Sequence, residues 1–533
     1  MYGDFSKMSY SSLTNIFSSN YEWLKGRDAW NENLRLAAFA SQRVYSSLGP
    51  NGAYKMVTYN RGPEKIVKIS RDTVAVLEEL AIKYPTVAIL AEAAKMQRQE
   101  IGDGVTSFII LTSALLKNAD KIIKKGIHPV KILEGYLEAG KKSLKVINLL
   151  SQDSSKNSLD EFLRLLDCGR DCLTKEIREI LVEATHLLTL DSVLDKDKFR
   201  IIRKPGGNIW ETKLMNGLVL KNGKYQPNMP NIISKPRIAI TSERVGVNML
   251  EVKMPREGPF PIKFNIETPE QRIACKEAEQ QQKYEALKKL EILGVTALFS
   301  QQPIDSYSKN KLLKMGIAAF ESVNRQDLEL ICKATGTRMV GNLADLTALD
   351  LGKADCLETD KIELENIVTL AGCDFVTFII RGSTVQALDE IELLINNALS
   401  LLKIVTGSGL SVAGGGAIEM QMAKQLKSYA LQFAGREQLA IDAFAEAVLD
   451  IPRCLATNSG LCPDEAVGQL SKLHSEGLED YGITADGTFG KVGSEPAEVK
   501  ISVIKRALEV VSLMLRIDQQ IKSKEITKFH KKG

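Results

Sequence analysis

Glycine-rich points occur in three separate parts of the sequence, each just before a stretch with strand or helix character. They are Gly49-Pro50-Asn51-Gly52, Gly102-Asp103-Gly104 and Gly414-Gly415-Gly416. Such loops present backbone amides to phosphate oxygens, and the positive end of a following helix adds to the attraction. A carboxylate repels phosphate, so Asp103 would instead hold Mg²⁺ that bridges phosphate oxygens. The alternative is that these glycines are turns only, since the sequence contains neither G-x-x-x-x-G-K-[ST] nor G-x-G-x-x-G.

The segment Met96 to Leu111, "MQRQEIGDGVTSFIIL", predicts a helix, a tight turn and a second helix. Glycine disfavours a helix interior, so the glycines on either side of Asp103 mark a place where the backbone approaches something closely. Asp72 in "SRDTVAVLEELA" stands where another helix begins. It is an N-cap or a catalytic acid, and the sequence leaves both open.

The composition excludes several functional classes. The 533 residues exceed a single core and predict two or three domains. The 70 basic and 66 acidic residues nearly balance, which gives neither a nucleic-acid nor a membrane-binding patch. Eight cysteines without a C-x-x-C pair and only four histidines disfavour zinc and favour buried free thiols in a reducing compartment. With no signal peptide or membrane span in the sequence, we expect a cytoplasmic protein.

Helical patterns at both ends of the sequence flank a centre of a different kind. Short β-like runs, "PRIAITS", "VTALFS", "GIAAF", "TRMVG" and "DFVTFIIRGS", alternate there with helical stretches. This alternation predicts an α/β domain inserted into a helical domain that both ends of the chain build. The stretch "MPREGPFPIKFNIETPEQ" has no clear period and is expected to be a loop or extension.

Several motifs, taken together, resemble those of group II chaperonins. They are "SSLGPNGAYKMV", "GDGVT", "RGST", "VAGGGAIE", "AFAEAVLDIPRCLATNSG" and "EPAEVK…LRID", and they occur in the family's order along the whole chain. Within the family the chain resembles subunits of the eukaryotic cytosolic chaperonin, with theta as the nearest paralogue and zeta as the alternative.

The resemblance implies a multi-domain α and α/β chaperonin fold. A helical equatorial domain would comprise 1–150 and 414–533, and a small intermediate domain 151–211 and 377–413. An α/β apical domain with a helical protrusion would comprise 212–376. The resemblance further implies a double ring with eight different paralogues per ring, seven of them partners of this chain. That ring would use ATP and Mg²⁺ to fold non-native proteins such as actin and tubulin, without binding nucleic acid or membrane.

The family's functional residues carry over motif by motif. Asp103 matches the acid that binds Mg²⁺, and Asp72 matches the acid that helps to orient the attacking water. Val105 stands where the family has a threonine, so one hydroxyl to phosphate is lost. The residues that the resemblance assigns to nucleotide binding are Leu48, Gly49, Pro50, Gly102, Gly104, Val105, Thr106, Ser107, Lys175, Gly415, Gly416 and Glu495.

One departure affects catalysis directly. The family's catalytic base is an aspartate upstream of the triple glycine, and "LLINNALSLLKIV" places Asn397 there. An amide cannot take a proton from water, and loss of a positioned base typically costs about 10²–10⁴-fold in rate. We therefore expect a subunit that binds ATP but hydrolyses it slowly. The alternatives are that Asp72 covers the role, that the register slips to Asn396 (also an amide), or that the subunit is mainly structural. A metabolic ATP-using enzyme is disfavoured by the absence of an acid/base cluster.

Overall fold

A computed structural model describes residues 21–61, 64–81, 84–153, 179–184, 198–221, 224–225, 229–242, 245, 268–341, 343–362 and 365–523. The chain divides into two compact units. One comprises Met1–Thr174 and Leu393–Gly533, so both ends of the chain contribute to it, and the other comprises Lys175–Glu392. The finer division into equatorial, intermediate and apical segments stays a prediction. Lys175, the proline-containing extension up to residue 267 and most of 151–198 lie outside the described residues.

The helices follow the sequence patterns closely, and prolines at first helical positions help to start several of them. The α-helices are α1 (Arg27–Tyr45), α2 (Thr73–Ala81), α3 (Pro85–Glu100), α4 (Val105–Ile123), α5 (Pro129–Leu150), α6 (Pro269–Ile292), α7 (Ser306–Lys314), α8 (Arg325–Thr335), α9 (Val385–Ser408), α10 (Ala417–Ala430), α11 (Arg436–Val448), α12 (Asp450–Asn458), α13 (Pro463–Ser475) and α14 (Ala497–Met514).

The strands are short and form several separate sheets. They are β1 (Tyr21–Lys25), β2 (Lys55–Arg61), β3 (Glu64–Ser70), β4 (Gln152–Asp153), β5 (Phe199–Pro205), β6 (Lys213–Asn216), β7 (Leu218–Lys221), β8 (Lys224–Tyr225), β9 (Ile232–Ser234), β10 (Arg237–Thr241), β11 (Ala297–Ser300), β12 (Ala318–Glu321), β13 (Met339–Val340), β14 (Gly352–Lys353), β15 (Cys356–Ile362), β16 (Glu365–Ala371), β17 (Val376–Gly382), β18 (Leu410–Ala413), β19 (Tyr481–Ile483), β20 (Phe489–Lys491), β21 (Ser494–Pro496) and β22 (Gln519–Ser523).

The unit built from both chain ends is mainly helical. Helix α4 lies at its centre, buried along most of its length, and packs against α1, α11 and α14. Its core joins residues from both chain segments, as where the Tyr136 and Phe444 rings meet edge to face at 5.7 Å. Strand β21 pairs with β18, and β1 pairs antiparallel with β22. The core is therefore complete only when both segments are present.

The central unit is α/β, as the alternation of runs predicts. Parallel strands β13, β10, β11 and β12 lie side by side, and β14 and β8 add antiparallel pairs. An antiparallel sheet of order β7-β16-β15-β9 and a sheet of order β5-β17-β6 complete this unit within the described residues. Phe299 and Phe320 stack at 4.6 Å between ring centroids in its core.

The expectation of buried thiols is only partly correct. The described cysteines are free, and Cys454 is buried, but Cys462 is exposed and Cys332, Cys356 and Cys373 are half-buried. Cys462 lies just before α13, at a helix end where side chains meet solvent. Cys168 and Cys172 lie outside the described residues. No helix in the described part of the chain has the length and apolarity needed to cross a membrane.

Candidate functional site

The Gly102-Asp103-Gly104 turn links α3 to α4 and needs glycine at both flanks. Gly102 and Gly104 have φ of +84° and +78°, a region that side chains strongly disfavour. Gly104 is the N-cap of α4 and offers no side chain to the first helical amides. Those amides lack partners within the helix, so the helix begins with donors and a positive dipole end beside Asp103.

Buried side chains of α3 and α14 hold this turn through hydrogen bonds and close packing. The Gln97 side chain, fully buried in α3, donates from Nε2 to the Asp103 carbonyl at 3.0 Å. The Ser502 hydroxyl of α14 donates to Gln97 Oε1 at 2.7 Å. A Cβ at Gly104 would stand 2.8 Å from methyl groups of both Val499 and Val503. Close packing against α14 thus requires glycine there, and Gln97 holds the carbonyl of the acidic residue.

The structure brings Asn397 to the same turn. A Cβ on Gly102 would lie 2.4 Å from Ser400 Cβ and 3.3 Å from the Asn397 carbonyl oxygen. Ser400 Oγ donates to the Asn396 carbonyl, one turn earlier in α9, at 2.9 Å. Asn397 is half-buried, and its backbone carbonyl borders the turn that bears Asp103.

Asp72 caps α2 and is also paired with a cation. Its Oδ1 accepts from the Val74 amide at 3.1 Å, and its Oδ2 accepts from the Ala75 amide at 3.2 Å. Arg98 Nη1 also donates to Oδ2. The N-cap interpretation of Asp72 is therefore correct.

Hydroxyl groups join the starts of α2 and α4. Thr73 Oγ1 and Thr106 Oγ1 lie 2.6 Å apart. Thr106 is half-buried, while Val105 and Ser107 in the same turn are each 8% exposed. Of the three residues in this first turn, Thr106 therefore presents the most accessible side chain.

The loop containing Leu48, Gly49 and Pro50 is tied down through its carbonyls. Arg71 donates to the Gly49 carbonyl, and Asn458 Nδ2 donates to the Leu48 carbonyl at 2.8 Å. A Cβ on Gly49 would lie 2.6 Å from Leu455 Cδ2 of α12.

The triple glycine approaches the same helix. A Cβ on Gly416 would lie 2.9 Å from Pro452 Cβ and 3.6 Å from Leu455 Cδ1. Gly416 is the N-cap of α10, again without a side-chain cap. A Cβ on Gly415 would lie 2.7 Å from Val492, which excludes side chains from this loop. Helix α12 therefore brings together the first and third glycine-rich loops.

A buried lysine lies beneath the triple glycine. Lys500 Nζ contacts Glu419 Oε1 at 2.8 Å and Glu495 Oε2 at 2.6 Å. Burial alone would lower the pKa of Lys500, but the charges of Glu419 and Glu495 outweigh burial and raise it. A Cβ on Gly414 would lie only 2.7 Å from the other carboxylate oxygen of Glu495, Oε1. Lys500 thus links α14, the first turn of α10 and strand β21.

Asp103 lies within the electrostatic field of these groups. Its side chain keeps accessible surface, yet the surrounding protein desolvates the carboxylate and raises the pKa of Asp103 above 3.8. The Gly104 amide, 2.7 Å from Oδ1, acts in the opposite direction. Glu495 raises this pKa further, while Lys500 and Arg71 lower it. A carboxylate that is costly to ionise gains from a cation bound beside it.

The geometry fits a metal ion that is held mainly by a phosphate ligand. Among the described residues, no group of three or more His, Cys, Asp and Glu side chains could hold a metal by itself. Mg²⁺ bound with nucleotide needs only one or two protein carboxylates, because phosphates and waters complete its shell. Asp103, beside the start of α4, supplies such a carboxylate.

Most of the predicted site residues converge in the unit built from both chain ends. The three glycine-rich loops, Asp72, Asn397 and Glu495 are connected by the contacts above, while Lys175 lies outside the described residues. The residues that hold the loops were not predicted from the sequence; they are Arg71, Gln97, Arg98, Glu419, Lys500 and Ser502. A charged residue in an apolar helical stretch, such as Lys500 in "VKISVI", is the signal that could have found one of them.

A model of the TCP-1/cpn60 chaperonin family matches residues 41–525. The chain belongs to this family. Relatives that match nearly the whole chain support this family assignment. A thermosome subunit of Pyrococcus abyssi is 34% identical over 523 residues, covering 94% of this chain and 92% of the relative. Thermosome subunit alpha of Archaeoglobus fulgidus is 33% identical, covering 94% and 93%.

Thermosome subunit alpha of Sulfurisphaera tokodaii is 34% identical over 544 residues, covering 95% of this chain and 94% of the relative. The expected chaperonin fold is confirmed, and the chain is a chaperonin subunit involved in protein folding. These relatives are archaeal thermosome subunits, so the assignment to the eukaryotic cytosolic chaperonin, with theta or zeta as the paralogue, stays a prediction.

Proposed function

We propose that this chaperonin subunit binds ATP with Mg²⁺ and works in a hetero-oligomeric double ring in the cytoplasm. The observation that carries the proposal is the set of charged groups that act on Asp103 at the uncapped start of α4. Arg71 holds the Gly49 carbonyl, and Glu495, paired with Lys500, lies beside Gly414, so groups that contact the other two glycine-rich loops act on Asp103. Backbone amides there suit phosphate oxygens, and Asp103 suits the metal that bridges them. Bound Mg²⁺ would neutralise charge on the phosphates.

The remaining parts of the proposal come from the family resemblance. Family subunits form double-ring oligomers and bind non-native proteins. We propose eight different paralogues per ring, with this chain as the theta paralogue or, as the second choice, zeta. Actin and tubulin are the proposed clients. The equatorial, intermediate and apical segments retain their proposed bounds. From the same resemblance, Lys175 is proposed to contact the γ-phosphate and Glu495 the ribose.

We further propose that hydrolysis by this subunit is slow. The backbone carbonyl of Asn397 lies against the turn of Asp103. The family resemblance puts the aspartate that acts as base at this position, and the amide of asparagine cannot accept the water proton. Val105 begins α4 without the hydroxyl that a threonine would offer. A second candidate function follows from the same two residues, namely a mainly structural ring subunit with a degenerate nucleotide pocket.

A density map of the purified native complex with an ATP analogue and Mg²⁺ separates these two functions. We expect nucleotide in the pocket of this subunit, with a metal beside Asp103. The matched Asp103→Asn complex should lose the metal and keep the fold, because asparagine can still accept the Gly104 amide. An empty pocket in an otherwise closed ring would reject ATP binding and support the structural role.

Single-turnover hydrolysis by the intact complex then tests the rate. In the native complex, the ATP bound to this subunit should be hydrolysed in a slow phase. In the Asn397→Asp complex, the same ATP should be hydrolysed about 10²–10⁴-fold faster. The neighbouring amide offers a control, since Asn396→Asp should leave the phases unchanged. Equal phases for the native and Asn397→Asp complexes would refute slow hydrolysis caused by Asn397.

A further inference from the structure

We propose that Arg98 is a positioning residue that holds Asp72 in its capping role and keeps its carboxylate away from the water that would attack ATP. This inference rests on the proposed ATP binding. It adds a second cause of slow hydrolysis, independent of Asn397. It also answers whether Asp72 can take over the task of the missing aspartate.

The hydrogen bonds of Asp72 carry the first step. A carboxylate offers about four acceptor positions. The Val74 amide, the Ala75 amide and the Arg98 guanidinium together use three of them. One of these donors is a cation, and hydrogen bonds to charged donors are the stronger kind. Asp72 therefore has little capacity left to bind and deprotonate a water molecule.

Burial makes this pair more than a surface contact. The side chain of Asp72 is 11% exposed and that of Arg98 is 29% exposed. A pair held in this partly dry place is screened less by salt than pairs on the open surface. The capping bonds also require the present carboxylate orientation, so Arg98 and the helix start favour the same rotamer.

The location of the pair links it to the site. Thr73, next to Asp72, meets the Thr106 hydroxyl in the first turn of α4. Arg98 follows Gln97, the residue that holds the Asp103 carbonyl. Asp72 thus borders the turn that presents Asp103, and Arg98 holds it from the α3 side.

Removal of the guanidinium gives the decisive variant. In Arg98→Gln, Asp72 would be free to accept the water proton while the water oxygen bonds to the γ-phosphorus and the bond to the ADP oxygen breaks. We expect this subunit's single-turnover rate in the intact complex to rise roughly 10- to 100-fold, the lower part of the general-base range. Arg98→Lys keeps the cation and should remain slow. Adding Asp72→Asn to Arg98→Gln should abolish the gain, since asparagine still caps α2 but takes no proton.

Arg506→Gln is the matched control. Arg506 pairs with Glu100, also on α3, at the end of the helix that carries Arg98. This variant removes an ion pair from the same helix without touching Asp72, so the hydrolysis phases should stay as in the native complex. A gain in Arg506→Gln equal to that in Arg98→Gln would overturn the proposal, because any loosening of α3 would then suffice.

Nucleotide occupancy separates the possible failures. Covalent labelling of this subunit by 8-azido-ATP, with protection by ATP and Mg²⁺, reports binding alone. Labelling retained in Arg98→Gln with an unchanged or lower rate would overturn the role of Arg98 and leave ATP binding intact. No labelling of the native subunit would reject the proposed function itself. If Arg98→Gln does not assemble, Arg98→Met takes its place: a rate gain that Arg98→Lys lacks supports the proposal, and a rate equal to that of Arg98→Lys overturns it.

Discussion

Replacing Lys500→Met should leave a buried carboxylate without its partner. Lys500 and Glu419 have side chains that are only 8% and 1% exposed. Glu419 Oε2 already has no hydrogen-bond partner. Loss of the 2.8 Å contact between Lys500 Nζ and Glu419 Oε1 would therefore leave the buried carboxylate without its lysine partner as well. Breaking one side of a buried ion pair costs about 3–5 kcal/mol. Glu495 adds little to this cost, because its side chain is 37% exposed and water can replace the lysine.

Hydrogen–deuterium exchange on the assembled complex measures the effect where it arises. Helices α10 and α14 carry Glu419 and Lys500, and their amides open by local unfolding. A loss of about 3–5 kcal/mol corresponds to exchange that is roughly 10²- to 10⁴-fold faster in these helices. Lys500→Met with Glu419→Met should recover most of the protection, since an apolar pair often replaces a buried ion pair without loss.

The pH dependence of this effect has a definite sign. The folded-state pKa of Lys500 lies above its ordinary value, so its stabilisation is complete below about pH 10.4 and declines only as the pH rises through the folded pKa. The contribution of the Lys500 charge to protection in the native complex should therefore be the same at about pH 6 and about pH 9. Lys124→Met is the control, because that lysine is 56% exposed and its pair with Asp120 is screened by solvent. Unchanged exchange of α10 and α14 in Lys500→Met would refute the reasoning.

Three further variants test the turn itself. Asp103→Asn should raise the thermal midpoint at pH 7 without ligand, because the raised pKa of Asp103 makes its ionisation costly; the gain should shrink as the pH falls towards 3.8. Gly102→Ala should destabilise more than Gly126→Ala: both have φ near +85°, but only Gly102 would clash, with Ser400. The strain alone costs about 1–2 kcal/mol, and equal losses in urea unfolding would contradict the clash. Val105→Thr should tighten ATP binding by about 2- to 10-fold, one hydrogen bond's worth, in competition with a fluorescent analogue; no gain would place that side chain away from phosphate.

The sequence predicts the loops of the site better than their supports. Gly102 and Gly104 predict a tight turn between two helices, and the structure confirms the turn and the helices on both sides of it. The cap at Asp72 is equally local, since the residue and the amides that it binds are neighbours in the chain. Such features depend on a few consecutive residues, which a sequence displays directly.

Contacts between distant segments could not be predicted in this way. Arg98 is 26 residues from Asp72, and Lys500 is 81 residues from Glu419. Nothing in the local pattern selects these partners from the other charged residues of the chain. The antiparallel sheet that contains β15 and β16 was missed for a related reason, because its strands mix polar and apolar residues and β7 pairs with β16 across the whole central unit.

The shared core of the first unit has a consequence for the order of folding during synthesis. Residues before 175 supply α1 to α5, but Met514 and its neighbours in α14 complete the same core. The ribosome needs roughly 20 to 70 s for the intervening residues at about 5–20 residues per second. We expect the central unit, which is continuous in sequence, to fold first, while the early helices keep apolar faces uncovered. A chaperonin subunit would then itself depend on protection from aggregation while it is being made.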